Sequence, residues 1–576
     1  MTETITTFFG DDEFPVTWEE GQRELLWVHD DLHIPNPVSP MYADIGGWWL
    51  KCDYMFRRFG TPFACDWISK IINGYVYTAA IPASKGLSAE ASEYGARYTP
   101  RTPLEDSYAH EIGGYLGWTL PYYAENFLVW WRERLIPEMT RNFERFDSYD
   151  YDGASLVELA ILLEDAIDMH DRHWQIHWVL NFAQFSATTN LNTVVAEVKG
   201  EGEHGPLLGR LQSSTENRNW DSIEELWKIK EKIKSKPDSA VAKAFKKQAA
   251  GDIVKELEAT DEGRQLLAGD IENYQKVFGY KSMYAHEFSF KTWREDRAPI
   301  IEAIRGYLET DYSFPEEIDA VAKDLEAAKA EVMEGVPEGD DRDRLASALE
   351  ASLRMNPLTP DHHFYIDQGT NARVRIVLIA IGAKLAEAGK LGDPEDVMYL
   401  RYNELRTLMA GSNSFDPEEL VGDRRDERER AYELRPRDWV GTATDDNLAF
   451  PYLALWGFPE KLHRKPSTTE GEINGLAASV GVVEGTARIV LSPEQFDEVR
   501  RGEIVICRMT SPAWVVLFTR IGGLVTDAGG MASHPAVVSR EFGIPAVVGT
   551  SDATRRITTG DRVRVNGATG RVQILS

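Results

Sequence analysis

The chain has 576 residues, of which 43% are hydrophobic and 27% charged, a composition typical of folded globular proteins. Acidic residues outnumber basic ones 93 to 63 and give a net charge of −30, so we expect no nucleic-acid or membrane partner. The three cysteines are widely spaced, and the sequence shows neither a signal peptide nor a long apolar run, which predicts a cytoplasmic protein.

The first 135 residues are rich in aromatic side chains and contain eight of the sixteen tryptophans. Segments such as GGWWLKCDYMFRRFG predict buried or half-buried helices. Two interpretations stay open for this region: an aromatic core, or a pocket for a flat apolar ligand lined by Trp48 and Trp49. His33, on the loop HIPNPVSP, is a further candidate for substrate binding.

Apolar residues at three- and four-residue spacing predict further helices. These helices cover 152–182, 221–262, 316–353 and 371–389, the last stopped by Gly389. Residues 1–458 are therefore predicted to form one mostly α-helical domain.

A change of pattern follows. The polar segment 459–474, PEKLHRKPSTTEGEIN, contains two prolines, lacks periodicity and predicts a linker. Residues 475–576 contain short β-rich runs, glycine turns and one helical piece, HPAVVSREFG, which together predict a compact C-terminal α/β domain. The sequence thus predicts a multidomain protein, helical first and α/β last.

The net charge of the chain also changes at the predicted linker. From Gly471 onward, 11 Arg and 10 Asp or Glu give +1, so the first 470 residues hold −31. An acidic region of this kind would repel a free nucleotide. The sequence also has no G-x-x-x-x-G-K-[ST] and no G-x-G-x-x-G phosphate-binding motif.

The most informative histidine is His534. It stands at the predicted start of a helix, after Ser533, a natural N-cap, and beside Gly529 and Gly530, which let a second ligand approach closely. A helix N-terminus disfavours a protonated imidazole and favours an anion attached to it. A neutral imidazole nitrogen can attack a phosphoryl group, and backbone amides would then hold the phosphohistidine. An ordinary capping or core histidine is the alternative.

The stretch GGMASHPAVVSREFGIPAVVG resembles the phosphohistidine signature of phosphoenolpyruvate-utilising enzymes, whose histidine lies on a swivelling domain. The resemblance covers 475–576 and implies that His534 is the phosphate carrier. Segments such as RHWQIHW and PEDVMYL resemble, more loosely, the acceptor domain of rifampin phosphotransferase and of two-component phenylphosphate synthases and 4-alkylphenol (4-cresol) kinases. In the two-component type a separate ATP-grasp subunit binds ATP and Mg²⁺. The resemblance therefore implies such a partner, with no cofactor bound tightly to this chain.

One predicted helix presents three histidines on a single face. His170, His173 and His177 are spaced i, i+3 and i+7 and alternate with tryptophans. A metal site is one interpretation, and a substrate wall or packed core is the other. We expect no metal, and we take His173 and His177 as candidate substrate contacts.

The densest polar cluster lies between 362 and 375. Phosphoryl transfer needs a cation near the migrating oxygens and a base near the acceptor hydroxyl. Arg373 or Arg375 is predicted to be the cation, and His363 or Asp367 the base. An ordinary network of helix caps and ion pairs is the alternative. The predicted substrate contacts in this cluster are Tyr365 and Gln368.

These features predict a phosphotransferase subunit. It would pass a phosphoryl group from ATP, through His534, to the hydroxyl of a phenol or 4-alkylphenol. Two alternatives are a component of a rifampin-like antibiotic phosphotransferase and a non-catalytic phosphorelay module.

Overall fold

A computed structural model describes most of the chain. The described residues are 6–31, 33–51, 54, 58–59, 64–82, 106–200, 204–247, 249–310, 312–412, 414–443, 467–491, 493–510, 514–518, 520–530 and 533–575. Residues 459–466 of the predicted linker lie outside them, so the domain boundaries drawn from the sequence stay predictions.

The chain folds into two compact units that interleave in sequence. Unit 1 consists of Met1–Ser186, Ala285–Ser289 and Tyr365–Ala454. Unit 2 consists of Ala187–Tyr284, Phe290–Phe364 and Leu455–Ser576. The C-terminal region is therefore grouped with part of the helical region rather than standing alone.

Unit 1 contains a five-stranded antiparallel sheet that the sequence did not predict. Its strands are β1 (Thr6–Phe8), β2 (Leu26–His29), β3 (Ala64–Ile72), β4 (Tyr75–Pro82) and β5 (Trp439–Ala443), in the order β1-β5-β2-β4-β3. Asn73 and Gly74 join β3 to β4 with φ of 51° and 85°. Both values fit a two-residue hairpin turn of the type that Asn-Gly favours.

The expectation of a mostly helical N-terminal region was therefore incomplete. Aromatic residues of the region form the core of this sheet. Trp27, Tyr75 and Tyr77 are fully buried there, together with Phe14 and Val440. Aromatic side chains fit a pleated, half-buried surface, so their abundance was compatible with strands as well as with helices.

The helices of unit 1 largely confirm the predicted ones. They span Asp106–Trp130, Ile136–Asp147, Leu156–Lys199, whose last residues belong to unit 2, Asn371–Glu387, Tyr402–Met409 and Pro417–Glu433. The helix Asn371–Glu387 ends where the sequence predicted. Gly389 has φ of 66°, its N–H donates to the carbonyl of Ala386, and the N–H of Lys390 donates to the carbonyl of Leu385. This is the hydrogen-bond pattern of a Schellman cap.

The helices of unit 2 are shorter than predicted. They span Gly205–Arg210, Arg218–Lys234, Ala240–Ala244, Ala250–Glu258, Asp261–Leu266, Glu272–Phe278, Ala298–Leu308, Phe314–Met333, Asp340–Met355 and Leu358–His362. The predicted helices 221–262 and 316–353 are each interrupted, near Pro237 and near Pro337. Proline has no backbone N–H and disfavours helical geometry in the residue before it, which explains both breaks.

The C-terminal part of unit 2 is the predicted α/β fold. Its strands are β6 (Glu472–Asn474), β7 (Leu476–Ser479), β8 (Val482–Ile489), β9 (Ile504–Cys507), β10 (Gly523–Thr526), β11 (Ala546–Val548), β12 (Arg562–Asn566) and β13 (Arg571–Leu575). The sheet order is β6-β13-β12-β8-β9-β10-β11-β7, with β8 to β11 parallel. A short helix, His534–Glu541, connects β10 to β11.

One hydrophobic cluster joins this α/β part to the helices of unit 2. It includes Trp220 and Ile304 from the helices together with Trp514, Phe518 and Ala536 from the C-terminal part. The helices and the α/β part of unit 2 therefore share a core. Among the described residues, no helix has both the length and the apolar composition needed to cross a bilayer.

Two exposed glycines of unit 1 make a matched test of the helix geometry. Gly389→Ala is expected to destabilise the protein by about 1 kcal/mol, because an L-residue is strained in the left-handed conformation. Gly422→Ala, inside the helix Pro417–Glu433 where a Cβ would meet no atom within 4 Å, is expected to stabilise it by about as much. Urea unfolding of the full chain should give opposite midpoint shifts; equal shifts would contradict the assigned cap.

Candidate functional site

The turn before His534 places this residue at the carboxyl end of a parallel strand. Ser533 is the N-cap of the helix His534–Glu541, as predicted, but its side chain makes no capping hydrogen bond. Its hydroxyl instead donates to the carbonyl of Gly530 at 2.6 Å. Gly529 has φ of 112°, and a Cβ there would lie 2.8 Å from the Ser533 hydroxyl, so the turn requires glycine.

A neighbouring strand supplies the group that orients the His534 ring. Thr510, three residues past β9, is buried, and its Oγ1 lies 2.9 Å from Nδ1 of His534. Phe518 meets the same ring edge-on at 6.5 Å between centroids. When Nδ1–H donates to Thr510, the lone pair of the imidazole is on Nε2. In that tautomer Nε2 is the nitrogen available for attack on phosphorus.

The surroundings of His534 keep its ring neutral. Burial lowers its pKa well below the ordinary 6.5, and the charges of His363 and Lys281 lower it further. A neutral imidazole has the lone pair that attack on phosphorus requires. His363, which was predicted as a base, lies in unit 2. It contributes to the lowered pKa of His534.

A buried lysine of unit 2, Lys281, contributes to the lowered pKa of His534, and sequence reasoning missed it. Lys281 is 3% exposed; its Nζ donates to Ser222 Oγ at 2.6 Å and lies 5.2 Å from the centre of the Trp293 ring. Burial, together with the charge of Arg218, lowers the pKa of Lys281 to about 7. Nothing in the local sequence GYKSMY distinguishes this lysine from an exposed one.

Unit 1 contains a separate buried polar cluster. Asp30 accepts hydrogen bonds from His33 Nδ1 at 2.8 Å and from Trp48 Nε1 at 2.5 Å. Burial alone would raise the pKa of the Asp30 carboxyl, but His33 and Trp48 outweigh burial and hold it below its usual value. The pKa of His33 is raised for the same reason, because the attraction of Asp30 outweighs burial.

A second histidine faces this pair. The ring of His286 lies 5.1 Å from that of His33 between centroids, and its Nε2 lies 3.6 Å from Asp367 Oδ2. His286 Nδ1 is buried and has no hydrogen-bond partner among the residues that the structure describes. Burial lowers the pKa of His286, so the two facing histidines have pKa values shifted in opposite directions. His286 was not among the predicted residues, because its segment lacks a recognisable pattern.

Several predicted residues meet in this cluster. His33, Trp48, His177 and Asp367 all belong to it, and His177 Nε2 lies 4.0 Å from Asp367 Oδ1. Trp49 packs beside Trp48 at 5.9 Å between ring centroids. The structure thus brings together residues that are far apart in sequence, while their roles in binding or catalysis stay predictions.

Other predicted residues take part in packing. Arg373 forms a salt bridge with Asp147 and stacks on Phe143, with 3.8 Å to the ring centre. Arg375 contacts Glu395 at 2.7 Å and donates to the carbonyl of Phe288 at 2.6 Å. Both guanidinium groups are bound to carboxylates, as in the alternative interpretation of an ion-pair network. Their predicted role as phosphoryl cations stays a prediction.

The remaining predicted contacts lie in the interior of unit 1. His173 has both ring nitrogens near protein groups, Nδ1 at 2.7 Å from Thr370 Oγ1 and Nε2 at 3.1 Å from Asn142 Nδ2. Burial lowers its pKa to about 3. Tyr365 meets Trp131 edge-on, and Gln368 is buried. These contacts are those of residues packed in a core, and the predicted roles of the three residues in substrate binding stay predictions.

Comparison with known proteins finds two matching segments in this chain. Residues 499–570 match the mobile domain of PEP-utilising enzymes, and residues 177–357 match the fourth domain of rifampicin phosphotransferase. The chain contains both kinds of segment, which confirms the corresponding resemblances. Similarity to the phenylphosphate synthase type stays a prediction.

Three relatives illustrate the similarity. The uncharacterized phosphotransferase YvkC of Bacillus subtilis is 28% identical over 404 residues, 70% of this chain and 47% of that protein. A rifampicin phosphotransferase of Streptomyces sviceus is 38% identical over 199 residues, 34% of this chain and 21% of that protein. The prodigiosin synthesizing transferase PigC of Serratia marcescens is 24% identical over 566 residues, 94% of this chain and 60% of that protein. The chain spans less than two thirds of each relative.

The lowered pKa of His534 predicts an unusual pH dependence. Potassium phosphoramidate transfers a phosphoryl group to neutral imidazole, so its rate with free imidazole should fall below about pH 6.5 as the ring is protonated. The rate at His534, divided by that of free imidazole, should therefore rise as the pH is lowered from 8 to 6. Intact-mass kinetics would measure this ratio. A ratio independent of pH would contradict the neutral, desolvated ring.

Proposed function

We propose that this chain is the phosphoryl-transferring part of a phosphotransferase whose acceptor is the hydroxyl of a small aromatic compound, a phenol or 4-alkylphenol. The observation that supports it most is the ring of His534, kept neutral and oriented by Thr510 at the start of a helix. The relatives named above as phosphotransferases point in the same direction.

The proposed reaction has two displacements. In the first, Nε2 of His534 forms a P–N bond as a P–O bond of the donor breaks, and the leaving group keeps the electron pair. In the second, the acceptor oxygen forms a P–O bond as the P–N bond breaks, and the imidazole recovers its lone pair. ATP is the proposed donor, held with Mg²⁺ by a separate ATP-grasp polypeptide, as the resemblance to two-component enzymes implies.

The buried cluster of unit 1 is the proposed acceptor site. Its tryptophans, among them Trp48 and Trp174, offer aromatic walls, and Trp174 lies 5.7 Å from His286 between ring centroids. A phenol has a pKa near 10, like tyrosine, and its proton must leave as the oxygen attacks. His286, neutral and backed by Asp367, is the proposed base.

His33 has the complementary state. Its ring is paired with Asp30 and has a raised pKa, so it is suited to remain protonated when His286 is neutral. Paired groups with pKa values shifted apart are a common arrangement for acid and base roles. We assign the proton-accepting role to His286 and a hydrogen-bond-donating role toward the acceptor to His33.

A rifampicin-like antibiotic phosphotransferase component is the second candidate. The match of residues 177–357 to the fourth domain of rifampicin phosphotransferase favours it. It predicts a larger polyphenolic acceptor. A non-catalytic phosphorelay module, the third possibility, predicts a phosphohistidine that no small hydroxyl compound discharges.

The acceptor class is tested directly with protein phosphorylated by phosphoramidate. Phenol, 4-methylphenol and rifampicin are added in turn, and aryl phosphate is followed by phosphorus NMR. We expect phosphate on the simple phenols, none from His534→Ala, and wild-type behaviour from His204→Ala. His204 is a matched control because it lies in the same unit and, among the residues described, its side chain contacts the Gly200 carbonyl and no group of the His534 site. Transfer of phosphate to rifampicin alone would favour the rifampicin-like antibiotic phosphotransferase. Transfer to none of the three compounds would favour the non-catalytic phosphorelay module.

The base has its own prediction. His286→Gln should slow transfer from phospho-His534 to phenol by roughly 100-fold, the usual contribution of a general base. Phosphorylation of His534 itself should proceed at the wild-type rate, because that step does not use the acceptor site. Single-turnover kinetics of the two steps separate these effects. Equal loss in both steps, or no loss in transfer, would remove His286 from this role.

A further inference from the structure

Two buried nitrogens of unit 1 have no hydrogen-bond partner among the residues that the structure describes. They are Nε1 of Trp174, a residue 1% exposed, and Nδ1 of His286, a residue 7% exposed. A tryptophan N–H usually finds a partner when it is buried, and a buried polar group without a partner costs free energy. A ligand that bonds to both nitrogens would therefore stabilise the folded protein.

The two nitrogens belong to neighbouring rings of one cluster. The centroids of the Trp174 and His286 rings lie 5.7 Å apart, with 53° between the ring planes. His177, 4.4 Å from Trp174 between centroids, and His33, 5.1 Å from His286, flank the pair. Two hydrogen bonds that meet at one oxygen hold their nitrogens ~5 Å apart, a span that this ring separation accommodates. One small polar group can therefore bond to both nitrogens.

The two nitrogens have opposite hydrogen-bonding roles. An indole nitrogen is a donor only. Nε2 of His286 lies 3.6 Å from Asp367 Oδ2, and a carboxylate on that side favours the tautomer with the proton on Nε2. Nδ1 then has the lone pair and is an acceptor. A donor beside an acceptor matches a hydroxyl group, which accepts one hydrogen bond and donates another.

Resting on the proposed acceptor site of unit 1, we propose that Trp174 and His286 together recognise the hydroxyl of the aromatic acceptor. Trp174 Nε1–H donates to the hydroxyl oxygen, and the hydroxyl donates its hydrogen to His286 Nδ1. Trp174 is then the residue that selects an aryl compound with a hydroxyl, because a ligand without one leaves both nitrogens unpaired. Since both nitrogens are buried, the hydroxyl reaches them only when neighbouring side chains move.

The same pair has a consequence for the proposed transfer. As the acceptor oxygen forms its bond to phosphorus, its proton moves to His286 Nδ1. The P–N bond of the phosphohistidine breaks, and its electron pair returns to the imidazole. Trp174 keeps its own proton throughout and stabilises the negative charge that develops on the acceptor oxygen. The aryl phosphate has no proton on this oxygen, so it cannot donate to Nδ1 as the hydroxyl did.

Binding to the unphosphorylated full-length protein tests this recognition without phosphoryl transfer. The ligands are 4-fluorophenol and 4-fluorotoluene, which differ only in a hydroxyl and a methyl group, and fluorine NMR measures their dissociation constants. We expect 4-fluorophenol to bind at least tenfold more tightly, because only its hydroxyl satisfies both nitrogens. A smaller ratio in the wild type would overturn the inference, whether or not any variant folds.

Two tryptophan variants assign the effect. Trp174→Phe keeps an aromatic ring but removes the N–H, so the ratio of the two affinities should fall about tenfold, or ~1.4 kcal/mol. A purely structural role of the ring would change both affinities and leave their ratio the same. Trp27→Phe is the matched control: Trp27 is also buried in unit 1, but its Nε1 donates to the Gln22 carbonyl at 2.8 Å. It should leave the ratio unchanged.

The inference and the proposed function can fail separately. An unchanged ratio in a folded Trp174→Phe protein would overturn the inference, and so would an equal fall in Trp27→Phe. If the ratios are as expected but no phenol accepts the phosphoryl group from phospho-His534, the recognition stands and the proposed function fails. If phenol accepts the phosphoryl group while Trp174→Phe leaves the ratio unchanged, the proposed function stands and the inference fails.

Discussion

The chemistry proposed for this protein depends on a neutral imidazole, that of His534, at the start of a helix. The contact between Thr510 Oγ1 and His534 Nδ1 connects segments that follow two neighbouring parallel strands and orients the ring. The carboxyl ends of parallel strands are the usual place for ligand sites in α/β sheets. The turn at Gly529 precedes this ring, and burial lowers its pKa.

Two buried arginines of unit 1 and one buried lysine of unit 2 have contrasting environments. Arg373 and Arg375 are satisfied by Asp147 and Glu395, so their charge is already neutralised in unit 1. Lys281 has no such carboxylate among the residues described. A paired cation contributes to structure and is poorly available to a ligand, whereas an unpaired one attracts an anion.

How far the sequence predicts this structure depends on the range of the interactions. The cap at Gly389 and the helix start at His534 were predictable, because their signals are local. The sheet of unit 1 was missed, although the pair Asn73-Gly74 between β-branched and aromatic residues was a usable hairpin signal. Its fifth strand comes from beyond residue 438, and such distant pairing has no local signature.

The site shows the same limit. The predicted residues of unit 1 do converge in part, since His33 and Asp367 both belong to the cluster around His286. His286 itself was missed because its role depends on which groups surround it.

The most direct test of the account follows the phosphoryl group itself. The protein is labelled at His534 with radioactive phosphoramidate, freed of donor and mixed with excess phenol. We predict that the label moves to phenyl phosphate as fast as it leaves the protein. Release of the label only as inorganic phosphate, at a rate independent of phenol, would contradict the account.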